Sequence, residues 1–266
     1  MTMMEKTPLP LDGKDQDLVH IAPSEPNSEL EEFVYIVSHD LRNSARALGE
    51  VPQWLRSDLI SEGVELTDDM RDDFDLLERH ARRLDRMFLD LLVFSRVGRL
   101  QEISKFSLTD LMDRVVAESA VPDHVNIEYP RDLPEVTLGY KDGYILLKCV
   151  VDNLLQHCGK TGARLQMSAE RHEDLVTLDF HDNGPGVALR DLHRMFRPMT
   201  TLRRRDEVEG SGMGLATVQR IARHYGGGVY AGIGSKLGGL HLRVTINDAG
   251  LRPTDRFDGL DYAGNT

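Results

Sequence analysis

His39 and Asp40 are adjacent side chains that could do nucleophilic chemistry together, because a carboxylate beside an exposed imidazole can polarise it. Apolar residues around them recur every 3.5 residues on average, which is typical of a helix in a bundle. One heptad position holds Val34, Leu41, Leu48 and Leu55, and the other holds Leu30, Val37, Ser44 and Val51. His39 falls outside this seam. From this window alone it is either a nucleophile or an ordinary surface histidine.

Two glycine-rich segments could bind an anion, namely Asp182-Asn183-Gly184-Pro185-Gly186 and Gly210-Ser211-Gly212-Met213-Gly214-Leu215. The second leads into a helical pattern, and the amides at a helix N-terminus can hold phosphate. A Rossmann fold would need its glycines directly after the first strand of a βαβ unit, and the Lys-Ser/Thr of a phosphate-binding loop is absent. Each cluster taken singly is equally consistent with flexible loop glycines.

The His-Asp pair lies in the first of two long helices that the sequence predicts. The first should begin near Asn27-Ser28, end near Leu59 and kink around Leu48 to Pro52. Thr67 should cap a second helix, whose heptad positions are Met70, Leu77, Leu84 and Leu91, and Phe74, Ala81 and Phe88. The two helices, joined by a short turn, should form an antiparallel hairpin whose apolar stripe is only half covered. We therefore expect a homodimer that forms a four-helix bundle.

The following segment has mixed α+β character. Helices are expected at 108–119, 143–157 and 215–225, and strands at 125–129, 164–171, 175–182, 228–233 and 241–246. The predicted organisation is a mobile leader over 1–27, the hairpin over 28–99, the mixed domain over 104–247 and a loose tail over 248–266.

Composition narrows the function classes. The net charge of −12 argues against nucleic acid and anionic membranes as partners. No apolar run reaches the roughly 18 residues needed for membrane insertion. The two cysteines, Cys149 and Cys158, lack C-x-x-C spacing and favour a reducing compartment. These features predict a soluble, cytoplasmic protein.

Taken in order, the His-Asp helix, a polar-ended helix at 150–160, Asp-x-Gly-x-Gly and Gly-x-Gly-x-Gly resemble one family. The chain from Ser28 to Asn247 resembles a sensor histidine kinase core. Such a core has a dimeric phosphoacceptor hairpin followed by an α/β sandwich ATP-binding domain, similar to those of gyrase, Hsp90 and MutL. Residues 33–46 are particularly similar to the phosphoacceptor box of phytochrome-type kinases.

The resemblance implies a role for each matching residue. His39 matches the phosphoacceptor, Asp40 its general base, and Asn43 the residue that positions water for phosphatase activity toward a receiver domain. Asp182 matches the aspartate that reads the adenine amino group, and residues 200–209 match the lid. The remaining implied ATP contacts are Asn153, His157, Lys160, Gly184, Gly186, Thr200, Gly210, Gly212, Gly214 and Leu215.

Two positions depart from the family pattern. Ser44 stands where the family usually has proline. His157 stands where it has a magnesium-binding asparagine, although Asn153 keeps the first asparagine of that box. Magnesium favours oxygen ligands, whereas manganese accepts imidazole more readily, so Mn²⁺ could be preferred to Mg²⁺ in an Asn153–His157 metal site.

The implied reaction is transfer of the ATP γ-phosphoryl group to His39 and then to an aspartate of a response regulator, under the control of a separate sensor protein. One alternative is a phosphotransfer or phosphatase adaptor with a partly degenerate ATP site. A second, a chaperone-like or gyrase-like ATPase, would need a catalytic glutamate in the helix that contains Asn153, where the sequence has none.

Overall fold

The computed structural model describes residues 18–21, 28–99, 101–157, 162–202 and 210–249, with side chains from residue 41 onward in the first helix. The helical elements are α1 (Ser28–Ser61), α2 (Asp68–Arg96), α3 (Leu108–Glu118), α4 (Tyr140–His157) and α5 (Gly214–His224). The strands are β1 (Val19–His20), β2 (Ile103–Ser107), β3 (Val125–Glu128), β4 (Glu135–Gly139), β5 (Ala163–His172), β6 (Leu175–Asp182), β7 (Val229–Gly232) and β8 (His241–Asn247). This order confirms the predicted fold class of a helical region followed by an α/β domain.

Helices α1 and α2 form an antiparallel hairpin. Thr67 caps α2 by accepting a hydrogen bond from the Met70 amide, as predicted. The Arg56 guanidinium lies 2.6 Å from the Asp75 carboxylate. Farther from the turn, Arg42 lies 3.4 Å from Asp85, so α2 runs back along α1.

Small residues make the contact between the two helices. Ala45 and Ala81 are buried, and a Cβ atom at Gly49 would lie 3.6 Å from that of Ala81. Pro52 is also buried and lies inside the continuous helix α1. The leucines of the predicted seam stay exposed: Leu41, Leu48 and Leu55 on α1, with Leu77 and Leu84 on α2. The hairpin therefore presents an apolar stripe that its own two helices do not cover.

The mixed domain is built on a six-stranded sheet in the order β1-β7-β8-β6-β5-β3. Among the strand pairs of the described residues, β3 and β5 alone are parallel, and β2 and β4 form a separate two-stranded sheet. Alternating residues such as Leu178 and Phe180 enter a core shared with α3, α4 and α5. Their neighbours Asp179 and His181 point to the opposite face, because successive strand residues alternate. Within the described parts of the chain, no helix is both long and apolar enough to cross a bilayer.

The structure corrects two of the expected boundaries. Leu18–Ile21 falls in the expected mobile leader, yet it contains β1, which lies at the edge of the large sheet. Asp248 falls in the expected loose tail, yet it is buried and forms an ion pair of 2.7 Å with Arg171. Strands β2 and β4 were not predicted from the sequence.

Candidate functional site

A cavity of about 400 Å³ lies where α2, α4, the segment after β6 and the start of α5 meet. Ten of the predicted ATP contacts line it: Asn153, His157, Asp182, Gly184, Gly186, Thr200, Gly210, Gly212, Gly214 and Leu215. Lys160 and most of the predicted lid, residues 203–209, lie outside the described residues. Residues from four separated segments therefore share one cavity.

Asp182 ends β6 and is held firmly by neighbouring backbone. Its Oδ1 accepts hydrogen bonds from the amides of Gly184 at 2.8 Å and Leu240 at 3.0 Å. Its carbonyl oxygen accepts from Ser235 Oγ at 2.7 Å and from the Gly239 amide at 2.9 Å. A fixed carboxylate at the cavity wall can accept a hydrogen bond from a ligand amino group.

Gly239 shapes the surroundings of Asp182, and the sequence did not predict this role. A Cβ atom there would lie 2.1 Å from Asp182 Oδ1 and 2.6 Å from the Gly184 nitrogen, so only glycine fits. The available signal was the pair Gly238-Gly239 just before β8. A glycine pair before a strand is common in turns, so the sequence did not connect it to Asp182.

The second glycine segment packs around the start of α5. Gly212 has a φ of +73°, and a Cβ atom there would lie 2.6 Å from the Thr200 carbonyl oxygen. The start of α5 has no side-chain cap, since Met213 precedes it and makes no capping hydrogen bond. The first amides of a helix lack acceptors within the helix and carry partial positive charge. This end of the cavity therefore suits an anion such as phosphate.

The end of α4 supplies the donors for a possible metal ion. Asn153 and Asp152 bring oxygen atoms to the cavity wall, and Asp152 pairs with Lys148. His157 contributes an imidazole to the same wall. Oxygen donors suit Mg²⁺, while the imidazole suits Mn²⁺ better. Among the described residues, no group of three or more His, Cys, Asp and Glu side chains is arranged to hold a metal, so a bound cation would need ligand oxygens from the nucleotide.

Helix α2 also reaches the cavity, which the sequence did not predict. Arg86, Asp90 and Val93 line it, together with Ser211 of the second glycine segment. Burial raises the pKa of the Asp90 carboxyl, and the nearby Asp152 raises it further. Burial likewise raises the pKa of Cys149 in this wall to about 12, so its thiol is not a nucleophile at neutral pH.

The predicted phosphoacceptor region lies on α1, none of whose described side chains lines the cavity. Position 39 is helical, and the side chains of His39 and Asp40 lie outside the described residues. Asn43 follows His39 by about one helical turn and is exposed. The structure thus brings the nucleotide residues together and leaves the His-Asp pair on a separate element.

This cavity and fold define an ATP-binding domain of a known class. Residues 144–250 match the family described as "Histidine kinase-, DNA gyrase B-, and HSP90-like ATPase". This match, together with the sensor histidine kinase relative described below, confirms the predicted histidine kinase core, and the chain belongs to this family.

Two curated relatives and one solved structure show how far the likeness extends. Cyanobacterial phytochrome A of Nostoc sp. strain PCC 7120 is 26% identical over 249 residues, covering 90% of this chain and 31% of that protein. Sensor histidine kinase GtrS of Pseudomonas aeruginosa is 32% identical over 222 residues, covering 81% of this chain and 41% of that protein.

The solved structure, full-length ShkA in complex with AMPPNP, superimposes with a TM-score of 0.60 at 21% identity. The superposition covers 85% of this chain and 47% of that one. It shows a shared fold. The chain spans less than half the length of each of these three proteins.

Proposed function

We propose that this chain is an ATP-dependent protein-histidine kinase that phosphorylates its own His39 and passes the phosphoryl group to an aspartate of a response regulator. The observation that carries the proposal is the convergence of Asp182, the glycine segment and Asn153 on one cavity, in a chain whose first helix contains a His-Asp pair. We also propose that the kinase acts in the cytoplasm, where ATP is available.

Each part of the cavity has a role in this reaction. Asp182 accepts a hydrogen bond from the adenine amino group, and the amides at the start of α5 hold the phosphates. A divalent cation held by Asn153 and the phosphates supplies charge neutralisation when bound. A nitrogen lone pair of His39 then attacks the γ-phosphorus, the bond to the β,γ-bridging oxygen breaks, ADP leaves, and Asp40 takes the imidazole proton.

The partners follow from the hairpin. The exposed stripe that includes Leu48 and Leu77 supports a homodimer, because a second copy would cover it in a four-helix bundle. Asn43 is exposed beside the phosphoacceptor position, where its amide could orient water for dephosphorylation of a docked receiver domain. A separate sensor protein would supply the signal.

Incubation with γ-labelled ATP tests the proposal. The wild-type chain should acquire an acid-labile, alkali-stable label, and His39→Gln should lose it while keeping its ATP affinity and oligomeric state. Asp182→Asn should lose both the label and ATP binding. A label that persists in His39→Gln would contradict the assignment of the phosphoacceptor.

A second candidate is a phosphotransfer or phosphatase adaptor with a weakened ATP site. His157 in the metal wall favours it, because an imidazole suits Mg²⁺ poorly, and Asp90 favours it, because a carboxylate in the cavity repels the nucleotide phosphates. An adaptor would take no label from ATP but would take label from a phosphorylated receiver domain. Asn43→Ala should then slow receiver dephosphorylation more than it slows His39 labelling.

A further inference from the structure

The segment Leu18–Ile21 is part of the ATP-binding domain although it precedes the hairpin in the chain. Val19 and His20 pair antiparallel with Ala231 and Tyr230 of β7. The Ile21 amide donates to the Val229 carbonyl at 2.9 Å, and Gln219 of α5 donates to the Ile21 carbonyl at 3.1 Å. This segment lies outside the residues that match the ATPase family.

The side chains of the segment make a sequence-specific contact. Leu18 and Ile21 are buried, and Ile21 belongs to the main apolar core. The His20 ring packs on Tyr230 with 5.1 Å between ring centroids. Backbone pairing with a sheet edge gives affinity, and pockets for particular side chains give selectivity, so β7 presents a strand-docking edge.

The docked strand connects the ATP-binding domain to α1 through a short segment. Only residues 22–27 separate Ile21 from Ser28, and an extended chain spans at most about 3.5 Å per residue. The domain is also joined to the end of α2, where the Gly98 amide donates to Asp142 Oδ2 at 2.9 Å. It is therefore attached to both helices of the hairpin.

In this doubly attached arrangement, α2 intrudes on the nucleotide cavity. Asp90 lines this cavity together with Ser211, which belongs to the glycine segment that would hold phosphates. Arg220 of α5 stacks over Phe94 of α2, with 4.6 Å from the guanidinium carbon to the ring centroid. A carboxylate at a phosphate site repels the nucleotide, because like charges interact strongly at short range.

We propose that the β7 edge is a strand-docking surface whose occupant is this chain's own Leu18–Ile21, and that the docked strand acts as a strap. The strap holds the ATP-binding domain on α2 with Asp90 beside Ser211, which lowers ATP affinity. Release of the strap lets the domain leave α2, so that ATP binds and the domain can approach His39. Only the His39 step rests on the proposed function.

The test compares two insertions that leave every contact of the strand intact. Twenty Gly/Ser residues inserted between Pro23 and Ser24 slacken the strap, and the same insertion between Asp15 and Gln16 does not. We expect the first insertion alone to raise ATP affinity, measured by calorimetry, about fivefold or more. His39 labelling at subsaturating ATP should rise with it.

Truncations separate the tether from the strand itself. Removal of residues 1–21 should raise ATP affinity as the first insertion does, and removal of residues 1–17 should not. A peptide of residues 16–23 should bind the chain that lacks residues 1–21. It should not lower the ATP affinity of that chain, because a free peptide is not joined to α1. A peptide that did restore low affinity would overturn the tether and indicate that the strand acts on the sheet alone.

Asp90 gives an independent check. Asp90→Asn in the full chain should raise ATP affinity, and it should add little to the slackened chain, because both changes relieve the same contact. Equal ATP affinities for the wild type and the Pro23–Ser24 insertion would overturn the strap. An absence of His39 labelling in every chain, with the affinity differences intact, would contradict the proposed kinase function and leave the strap supported.

Discussion

Tyr225 donates a hydrogen bond of 2.7 Å to the buried carboxylate of Asp142. The same carboxylate oxygen accepts from the Gly98 amide, and the Gly139 amide donates to the Tyr225 hydroxyl at 3.1 Å. This network joins the end of α5, the first turn of α4 and the connection that follows α2. Burial, together with the Asp142 carboxylate, raises the pKa of Tyr225, so its hydroxyl remains a donor at neutral pH.

Tyr225→Phe should therefore destabilise the protein. The change removes a donor from a buried carboxylate, and we expect a loss of about 1–3 kcal/mol in the free energy of unfolding, measured with urea. Tyr144→Phe is the matched control, since Tyr144 bonds to the exposed Glu118. That control should change stability by less than about 0.5 kcal/mol. Equal effects in the two variants would show that the buried network contributes nothing particular.

Gly239→Ala should weaken ATP binding through Asp182. The new methyl group must displace the Asp182 carboxylate or the Gly184 backbone, and we expect a loss of tenfold or more in ATP affinity, on the order of 1.4 kcal/mol. Calorimetric titration with ATP measures it. Gly238→Ala serves as control, because its Cβ would meet open space, although its φ of +95° adds backbone strain. A similar loss of affinity in both variants would point to the turn and not to Asp182.

The stability of the domain should fall in mild acid because of His181. Only 4% of this residue is exposed. Burial, with the neighbouring His241 and Lys236, lowers the pKa of its imidazole to about 4. The unfolded chain titrates near 6.5 and so binds the proton first as the pH falls. Stability is then lost between about pH 6.5 and pH 4, by at most roughly 3 kcal/mol.

His181→Gln should flatten that part of the stability profile, measured by urea unfolding at pH 7, 5.5 and 4.5. His172→Gln is the control, because His172 is exposed at the end of β5. The control should keep the wild-type slope. If His181→Gln also keeps it, the acid sensitivity arises elsewhere.

His157→Asn should change the metal preference of autophosphorylation. In the wild type, His39 should be labelled slowly with Mg²⁺ and faster with Mn²⁺, because an imidazole suits the softer ion. The variant offers an amide oxygen in place of the imidazole, so its labelling rate with Mg²⁺ should exceed that of the wild type. Initial labelling rates for both proteins with each metal at saturating ATP make the comparison. No preference in the wild type and no change in the variant would place His157 outside the metal site.

The sequence predicted the elements whose signals are local. Thr67 and the long apolar period placed α2 to within one residue of its start, and the glycines with Asp182 marked a cavity that the structure contains. Strand β1 was not predicted, because two residues are too few to show a periodic pattern. The strand is formed by pairing with β7, which lies more than 200 positions along the chain.

Asp90 was missed for a related reason. It reads as an ordinary polar position of an amphipathic helix, and only tertiary packing brings it to Ser211. The heptad leucines show the same limit, because the period identified an apolar stripe without showing which surface covers it. Within the hairpin, the two helices contact each other through small residues such as Gly49 and Ala81.

The position of β1 also determines where an attached label would sit. While β1 is docked, a label attached at Leu18 lies beside β7 and moves with the ATP-binding domain, although its position along the chain is close to α1. A fluorophore at that end and another at the hairpin turn near Gly63, where the surroundings are open, would report the distance between the two units. The chain therefore offers attachment points for a spectroscopic ruler of domain movement.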